Sequence, residues 1–157
     1  MPDWNIHDRP NRFPWPPVLL VLAICVGFVL RHFLPMPIAT TPLLQAFGAL
    51  LIGSALALDV WASLTFRRAQ TTILPHRGTQ ALVDAGPFAY SRNPIYVGNL
   101  MILCGIGLLA GSLWHIALVV PLAFAIQHLA IAREEMHLAT RFPEEWASYT
   151  GKVRRWI

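Results

Sequence analysis

Four apolar runs, at about 18–34, 43–66, 94–110 and 113–132, contain only two formally charged side chains between them, Arg31 and Asp59. A helix that crosses a bilayer needs about 20 mostly apolar residues. Four such runs in 157 residues leave little chain for anything except a membrane-embedded bundle. Composition agrees: 55% of residues are hydrophobic, 13% are charged, and the mean hydropathy is +0.51. Soluble domains carry about 25% charged residues, and a soluble body this size could not cover its surface with half that supply. Disorder and a disulfide scaffold are excluded on the same grounds.

The expected fold is an all-α integral membrane protein with four transmembrane helices. It forms one membrane-embedded domain over 1–157, with a polar segment at 1–17 and a tail at 133–157. The third and fourth runs are separated by little more than Gly111 and Ser112, so they read as a tight hairpin. Gly98, Gly105, Gly107 and Gly111 would let its helices approach closely. Pro121 is a candidate kink, tolerated in membrane helices when neighbours satisfy the freed carbonyl. The segment 1–17 lacks the charged start and small-residue cleavage site of a signal peptide, so the first run is expected to be retained.

The net charge of +4 invites a nucleic-acid partner, but the distribution of charge argues against one. With four spans, the N-terminus, the 67–92 loop and the tail share one side. That side holds Arg9, Arg12, Arg67, Arg68, Arg77, Arg92, Arg133, Arg141, Lys152, Arg154 and Arg155, and the other holds only Arg31. Such asymmetry places both termini in the cytoplasm. Cys25 and Cys104 lie inside apolar runs, where a thiol behaves as a small hydrophobe, and they offer no metal spacing.

The unusual residues fall on the same side. Asn93-Pro94 is a helix start, with Asn93 able to cap free N–H groups and Pro94 preset for the first turn. Arg92 is either an anchor at the cytoplasmic face or, with the positive helix end, a site for a carboxylate or phosphate. Tyr96 lies one turn in, and Gly98 leaves room for a ligand or a neighbouring helix. On the fourth helix, residues 127, 131, 134 and 138 share one face, with 128 and 135 close to it. Gln127 and His128 sit within the apolar run, where polar side chains face a protein interior or a wet cavity. Glu134 and Glu135 are either a solvated helix end paired with Arg133 or Arg141, or ligands for an ammonium, a ribose or a basic side chain. Asp59 is a carboxylate inside the second span. It is either a structural hydrogen-bond acceptor or part of a functional site. Gly105-Ile106-Gly107-Leu108-Leu109-Ala110 matches a dinucleotide-binding pattern, but inside a membrane span it reads as helix packing. In the tail, basic and aromatic residues interleave from Tyr149 to Trp156, which suits a membrane interface. Folded back, Tyr149 or Arg154 could also close a site.

Gly86-Pro87-Phe88-x-Tyr90-x-Arg92-Asn93-Pro94-x-Tyr96-x-Gly98, a hairpin, Glu134-Glu135-x-x-Leu138, Phe142, Tyr149 and Val153-x-Arg155 follow one another in this order. The set resembles the integral-membrane methyltransferases, a superfamily that includes isoprenylcysteine carboxyl methyltransferases and phospholipid N-methyltransferases. The resemblance runs from about Phe66 onward. It implies S-adenosylmethionine as cofactor and methyl donor, held in the cytoplasmic half of the last two helices and the tail. It also implies a lipid or other amphiphilic acceptor reaching the donor from the bilayer. By position, Tyr90, Asn93, Tyr96, Gly98, Glu135 and Tyr149 line the cofactor site, and Arg92, Glu134 and Glu135 are the catalytic candidates. Asp59, Gln127 and His128 are the candidates for binding the acceptor. The prenylcysteine branch has His where this chain has Asn93, whereas Asn-Pro-x-Tyr-x-Gly is the phospholipid methyltransferase pattern.

Such a transfer is an in-line displacement whose reactivity the cofactor supplies. The protein aligns the reactants and keeps water out. An amine acceptor must lose a proton, for which Glu134, Glu135 or His128 is available. A carboxylate acceptor needs only a cation such as Arg92. Two other readings compete: an NADPH-dependent membrane reductase of sterol-reductase type, and a non-catalytic membrane scaffold.

Overall fold

The computed structural model describes residues 15–69 and 82–157. Arg9, Arg12 and Arg77, which enter the charge asymmetry, lie outside the described residues. Within them the chain is almost entirely helical, with no strand and a single isolated bridge.

The first helix, α1 (Trp15–Phe33), opens on Pro16 and Pro17, which a first turn accepts because its N–H groups have no intrahelical partner. The second, α2 (Pro42–Arg68), is capped by Thr41, whose hydroxyl accepts from Leu44 N–H at 3.2 Å, with Pro42 in the first turn. Its 27 residues span about 40 Å, against a hydrocarbon thickness of about 30 Å. A short 3₁₀ turn (Gly86–Ala89) leads to α3 (Pro94–Ala110). The fourth apolar run enters a longer helical course, Leu113–Arg141. It divides into α4 (Leu113–Ala117), α5 (Val119–Ile126), a π-helical turn (Gln127–Ile131) and α6 (Ala132–Arg141), and α7 (Pro143–Lys152) follows.

Three helical courses, Trp15–Phe33, Pro42–Arg68 and Leu113–Arg141, are long and apolar enough to cross a membrane, and α3 is apolar but shorter. The exposed surface has the matching character. On α1 and α2, Val21, Leu22, Leu43, Leu50 and Val60 are all more than half exposed, whereas a soluble protein rarely leaves so large an apolar surface uncovered. The buried core lies between α3, α5 and the π turn, around Tyr96, Leu103, Leu122, Ile126, Ala130 and Ile131, with Leu19 and Ile24 of α1 packed against it.

Close approach is organised differently from the sequence expectation. Gly105 faces α2 rather than its hairpin partner: a Cβ there would lie 2.7 Å from Gly48 O, and one on Gly48 would lie 2.9 Å from Gly105 O. Gly98 also faces α2. Only Gly107 packs against α4, where a Cβ would meet Ile116 at 2.8 Å. The hairpin turn itself forms as expected. Gly111 adopts the left-handed conformation (φ 62°) and its N–H bonds back to the carbonyls of Gly107 and Leu108. The course of the fourth run breaks at Leu118, one turn before Pro121, which has no N–H for the carbonyl of Ala117.

That end of the bundle is tied together by neutral hydrogen bonds. Leu113 N–H donates to Met36 O and Ile38 N–H to Gly111 O, each at 3.1 Å. Trp114 Nε1 donates to Leu34 O at 2.6 Å, and the fully buried His115 pairs through Nδ1 with Ser112 Oγ at 2.9 Å.

Candidate functional site

At the opposite end, three stretches far apart in sequence converge: the approach to α3, the helix beyond the π turn, and the residues after α7. The π turn shifts the helical phase by an extra residue, about 100° at 3.6 residues per turn. The face expected from uniform α-helical spacing is therefore not continuous from Gln127 to Glu134. Beyond the turn, Glu134 and Glu135 point to two different partners.

Glu134 accepts the Tyr96 hydroxyl at both carboxylate oxygens, 2.7 and 2.8 Å away, beneath the core. Glu135 receives two guanidiniums. Arg155 donates Nε to Oε1 at 3.0 Å and Nη2 to Oε2 at 2.6 Å, a forked pairing. Arg92 Nη1 lies 3.1 Å from Oε1. For Glu135, the ion pairs seen are with these two cations and not with Arg133 or Arg141, which helix spacing offers. Arg155 is held protonated more firmly than usual, chiefly by its hydrogen bonds to Glu135. Arg92 lies over the Trp146 ring, 5.7 Å from its centroid. Its Nε is buried and has no hydrogen-bond partner among the described residues.

Asn93 is not the side-chain cap that its position suggests. Its backbone carbonyl accepts from Tyr96 and Val97, while its amide Nδ2 donates to Arg155 O at 2.9 Å. Beside it, Arg92 N–H donates to Arg154 O at 3.0 Å. The residues after α7 therefore dock along Arg92 and Asn93. Trp156 completes the docking with Nε1 donating to Gln127 Oε1 at 3.3 Å. Tyr149 is buried, and its hydroxyl donates to Phe88 O at 2.7 Å. Burial pushes its ionisation above the ordinary tyrosine range, the Arg92 charge opposes that shift, and Asp84 adds to it. A groove of about 630 Å³ adjoins Tyr149, lined by Asp84, Glu144, Glu145, Ser148 and Lys152 among others. This lies within the about 300–1,000 Å³ typical of small-molecule sites.

The structure brings together Arg92, Asn93, Tyr96, Glu134 and Glu135, with Gln127 joined through Trp156. Other sequence candidates lie apart from these contacts. Tyr90 is exposed and faces Trp61 of α2 at 6.3 Å between ring centroids. Gly98 faces Asp59, whose Oδ1 would lie 3.0 Å from a Cβ at that glycine. Asp59 Oδ1 is buried and has no hydrogen-bond partner among the described residues, so of the two alternatives for this carboxylate the structural hydrogen bond is not seen at that oxygen. His128 is exposed rather than turned into an interior. Sequence reasoning missed the side chains of Arg155, Trp156 and Trp146. Arg155 had left a signal as a member of the Val153-x-Arg155 pattern, and Trp156 only as part of the interleaved basic and aromatic tail. No three His, Cys, Asp or Glu side chains are grouped to hold a metal ion among the described residues.

The chain belongs to the phospholipid methyltransferase family, which it matches over residues 43–145, from α2 to the start of α7. Among individual proteins, it is 34% identical over 114 residues to the cobalt-zinc-cadmium resistance protein CzcN of Cupriavidus metallidurans, covering 72% of this chain and 48% of that one. It is 39% identical over 69 residues to the nickel-cobalt-cadmium resistance protein NccN of Alcaligenes xylosoxydans xylosoxydans, covering 43% of this chain and 32% of that one. The matched regions thus span about half and about a third of those relatives. No solved structure matches the chain.

Proposed function

We propose that the chain is an S-adenosylmethionine-dependent methyltransferase acting on a lipid or other amphiphile, with its polar end and both termini in the cytoplasm and 1–157 forming one membrane-embedded domain. Family membership supports membrane methyl transfer. The observation that carries the fuller reading is the convergence of Tyr96–Glu134 and Arg92–Glu135–Arg155 at one end of an otherwise apolar bundle.

The donor set suits a zwitterionic sulfonium ligand. The unpartnered Arg92 Nε is a hydrogen-bond donor of the kind a carboxylate accepts from. Glu134 and Glu135 are acceptors for ammonium or ribose hydroxyl groups. Trp146 offers an aromatic face. When bound, S-adenosylmethionine supplies a methyl group on positively charged sulfur, ready for in-line displacement.

The chain's own part is positioning and proton handling. Arg92, set by the start of α3, and Glu135, set by the π turn, orient the charged ends of the donor. Glu134, held by the Tyr96 hydroxyl, takes the proton that an amine acceptor must lose. For a carboxylate acceptor no base is required. The packed core around Leu103, Ile126 and Ile131 closes the apolar side of the site, which helps keep water from the reacting groups. Asp59, Gln127 and His128 belong to the acceptor side in this reading, and Tyr90, Asn93, Tyr96, Gly98 and Tyr149 to the donor side with Glu135.

Supplying donor labelled on its methyl carbon to membranes containing the protein tests this reading. Label should move into a lipid or amphiphile fraction, and the transfer should fall at least tenfold with Glu134→Gln if the acceptor is an amine. Label that stays with the donor in every fraction rejects methyl transfer. Stabilisation by NADPH in place of the donor would favour the reductase.

A further inference from the structure

The segment after α7 crosses the cluster that it helps to build. Val153–Trp156 lies outside any helix or strand, yet it is fixed to three separate elements. Arg154 O accepts from Arg92 N–H at 3.0 Å and Arg155 O from Asn93 Nδ2 at 2.9 Å, both just before α3. The Arg155 guanidinium grips Glu135 of α6 at 3.0 and 2.6 Å. Trp156 Nε1 reaches Gln127 of the π turn at 3.3 Å, a long bond for an N–H donor.

The two cations on Glu135 are not equivalent. The Arg92 and Glu135 side chains are each 15% exposed, while that of Arg155 is 39% exposed. Arg92 is anchored at the mouth of α3 and stacked on Trp146, whereas Arg155 hangs from an irregular segment on the outer side of the carboxylate. A partly exposed ion pair exchanges readily for water. While Arg155 stays, its fork covers both oxygens of Glu135, and another cation would have to approach against two guanidiniums.

We propose that Val153–Trp156 is a strap, and that Arg155 occupies on Glu135 the place of a cationic ligand group. A ligand that brings positive charge to Glu135 displaces Arg155 and lifts the strap from Arg92. This rests on the methyl-donor reading for the ligand, because S-adenosylmethionine carries both a sulfonium and an ammonium. It assigns Glu135 to the cationic part of the donor and makes Arg155 a competitor rather than a partner. The backbone N–H of Arg92 is a built-in reporter, since its acceptor is carried by the strap.

The test uses the full chain in detergent micelles, hydrogen exchange over the Arg92 and 150–157 peptides, and calorimetry with S-adenosylmethionine as the probe. Without donor, Arg155→Gln and Trp156→Phe should each speed exchange at the Arg92 amide about tenfold, an opening of the strap alone. Saturating donor should do the same in the unaltered protein, and Arg155→Gln should bind donor several-fold more tightly. Unchanged exchange in both variants overturns the strap. Equal or weaker donor binding by Arg155→Gln, with its helix content intact, overturns the competition and makes Arg155 a structural partner of Glu135. If Arg155→Gln does not fold, the Trp156→Phe protein and the donor-dependent exchange of the unaltered protein decide the matter. Absence of donor binding in every variant rejects the methyl-donor reading and the competition with it, while the donor-free exchange still decides the strap.

Discussion

The two ends of this bundle solve the same problem with different chemistry. Where α3 turns into α4, the chain buries Ser112 and His115 and the hydrogen bonds made there are between neutral groups: backbone carbonyls, a serine hydroxyl and an indole N–H, with His115 Nδ1 paired and its Nε2 without a partner among the described residues. Where α3 begins, it buries Asn93 on a backbone carbonyl and Tyr96 on the Glu134 carboxylate, and beside them it pairs Glu135 with two guanidiniums. Neutral hydrogen bonds are sufficient to close a turn. Charges taken partly out of water cost desolvation that hydrophobic packing would avoid. The charged end is therefore where a role other than folding is to be sought, and the neutral end serves as its internal control.

Glu135→Ala should break this contrast most severely, because it leaves Arg92 and Arg155 without their shared carboxylate. Removing one member of a buried pair costs about 3–5 kcal/mol, and the partial exposure of Arg155 reduces that to about 2–3 kcal/mol. Denaturation in mixed micelles checks it. The double variant Glu135→Ala/Arg92→Ala should recover part of the loss, since the more buried uncompensated cation is gone. Full additivity would mean that the two side chains do not interact.

Gly105→Val should cost about 2 kcal/mol by forcing α2 and α3 apart where backbone nearly touches backbone. Its effect should appear in the melting temperature and not in donor affinity. At the neutral end, Trp114→Phe removes one hydrogen bond to Leu34 O and should cost about 1 kcal/mol, again with donor binding unchanged. A loss of donor affinity in Trp114→Phe would erase the distinction between the two ends.

The smallest effect is in the alkaline limb. Tyr149 keeps its proton to higher pH when folded than when unfolded, because it is buried. Its contribution to stability is therefore fully present below its unfolded value, about 10, and is lost as pH rises through the higher folded value. Tyr149→Phe should flatten that limb, at the cost near neutral pH of one hydrogen bond to Phe88 O, about 1 kcal/mol.

Much of the fold was legible because membrane spans announce themselves by composition, and the hairpin turn by Gly111-Ser112. The glycines showed that helices would approach closely, but the sequence reading assigned all four to the hairpin, which is wrong for two of them. Gly98 and Gly105 serve α2, and only the three-dimensional crossing decides that. In the site, Asn93-Pro94 and Glu134-Glu135 stood out as polar pairs at the ends of apolar runs. Their partners did not, because helix spacing offers Arg133 and Arg141 to the glutamates, while Arg155 comes from beyond another helix. The π turn was hidden for the same reason: nothing in Gln127–Ile131 departs from an ordinary helical sequence, yet it sets where both glutamates point. His128 shares its apolar run with Gln127 but falls on the exposed side of the turn.

Equilibrium binding of S-adenosylmethionine to the purified full chain in micelles tests the central claim most directly, with Glu135→Ala and Trp114→Phe measured side by side. The charged end as donor site predicts at least a tenfold loss of affinity in Glu135→Ala, a change of about 1.4 kcal/mol, and none in Trp114→Phe. Unchanged affinity in a folded Glu135→Ala protein would contradict it.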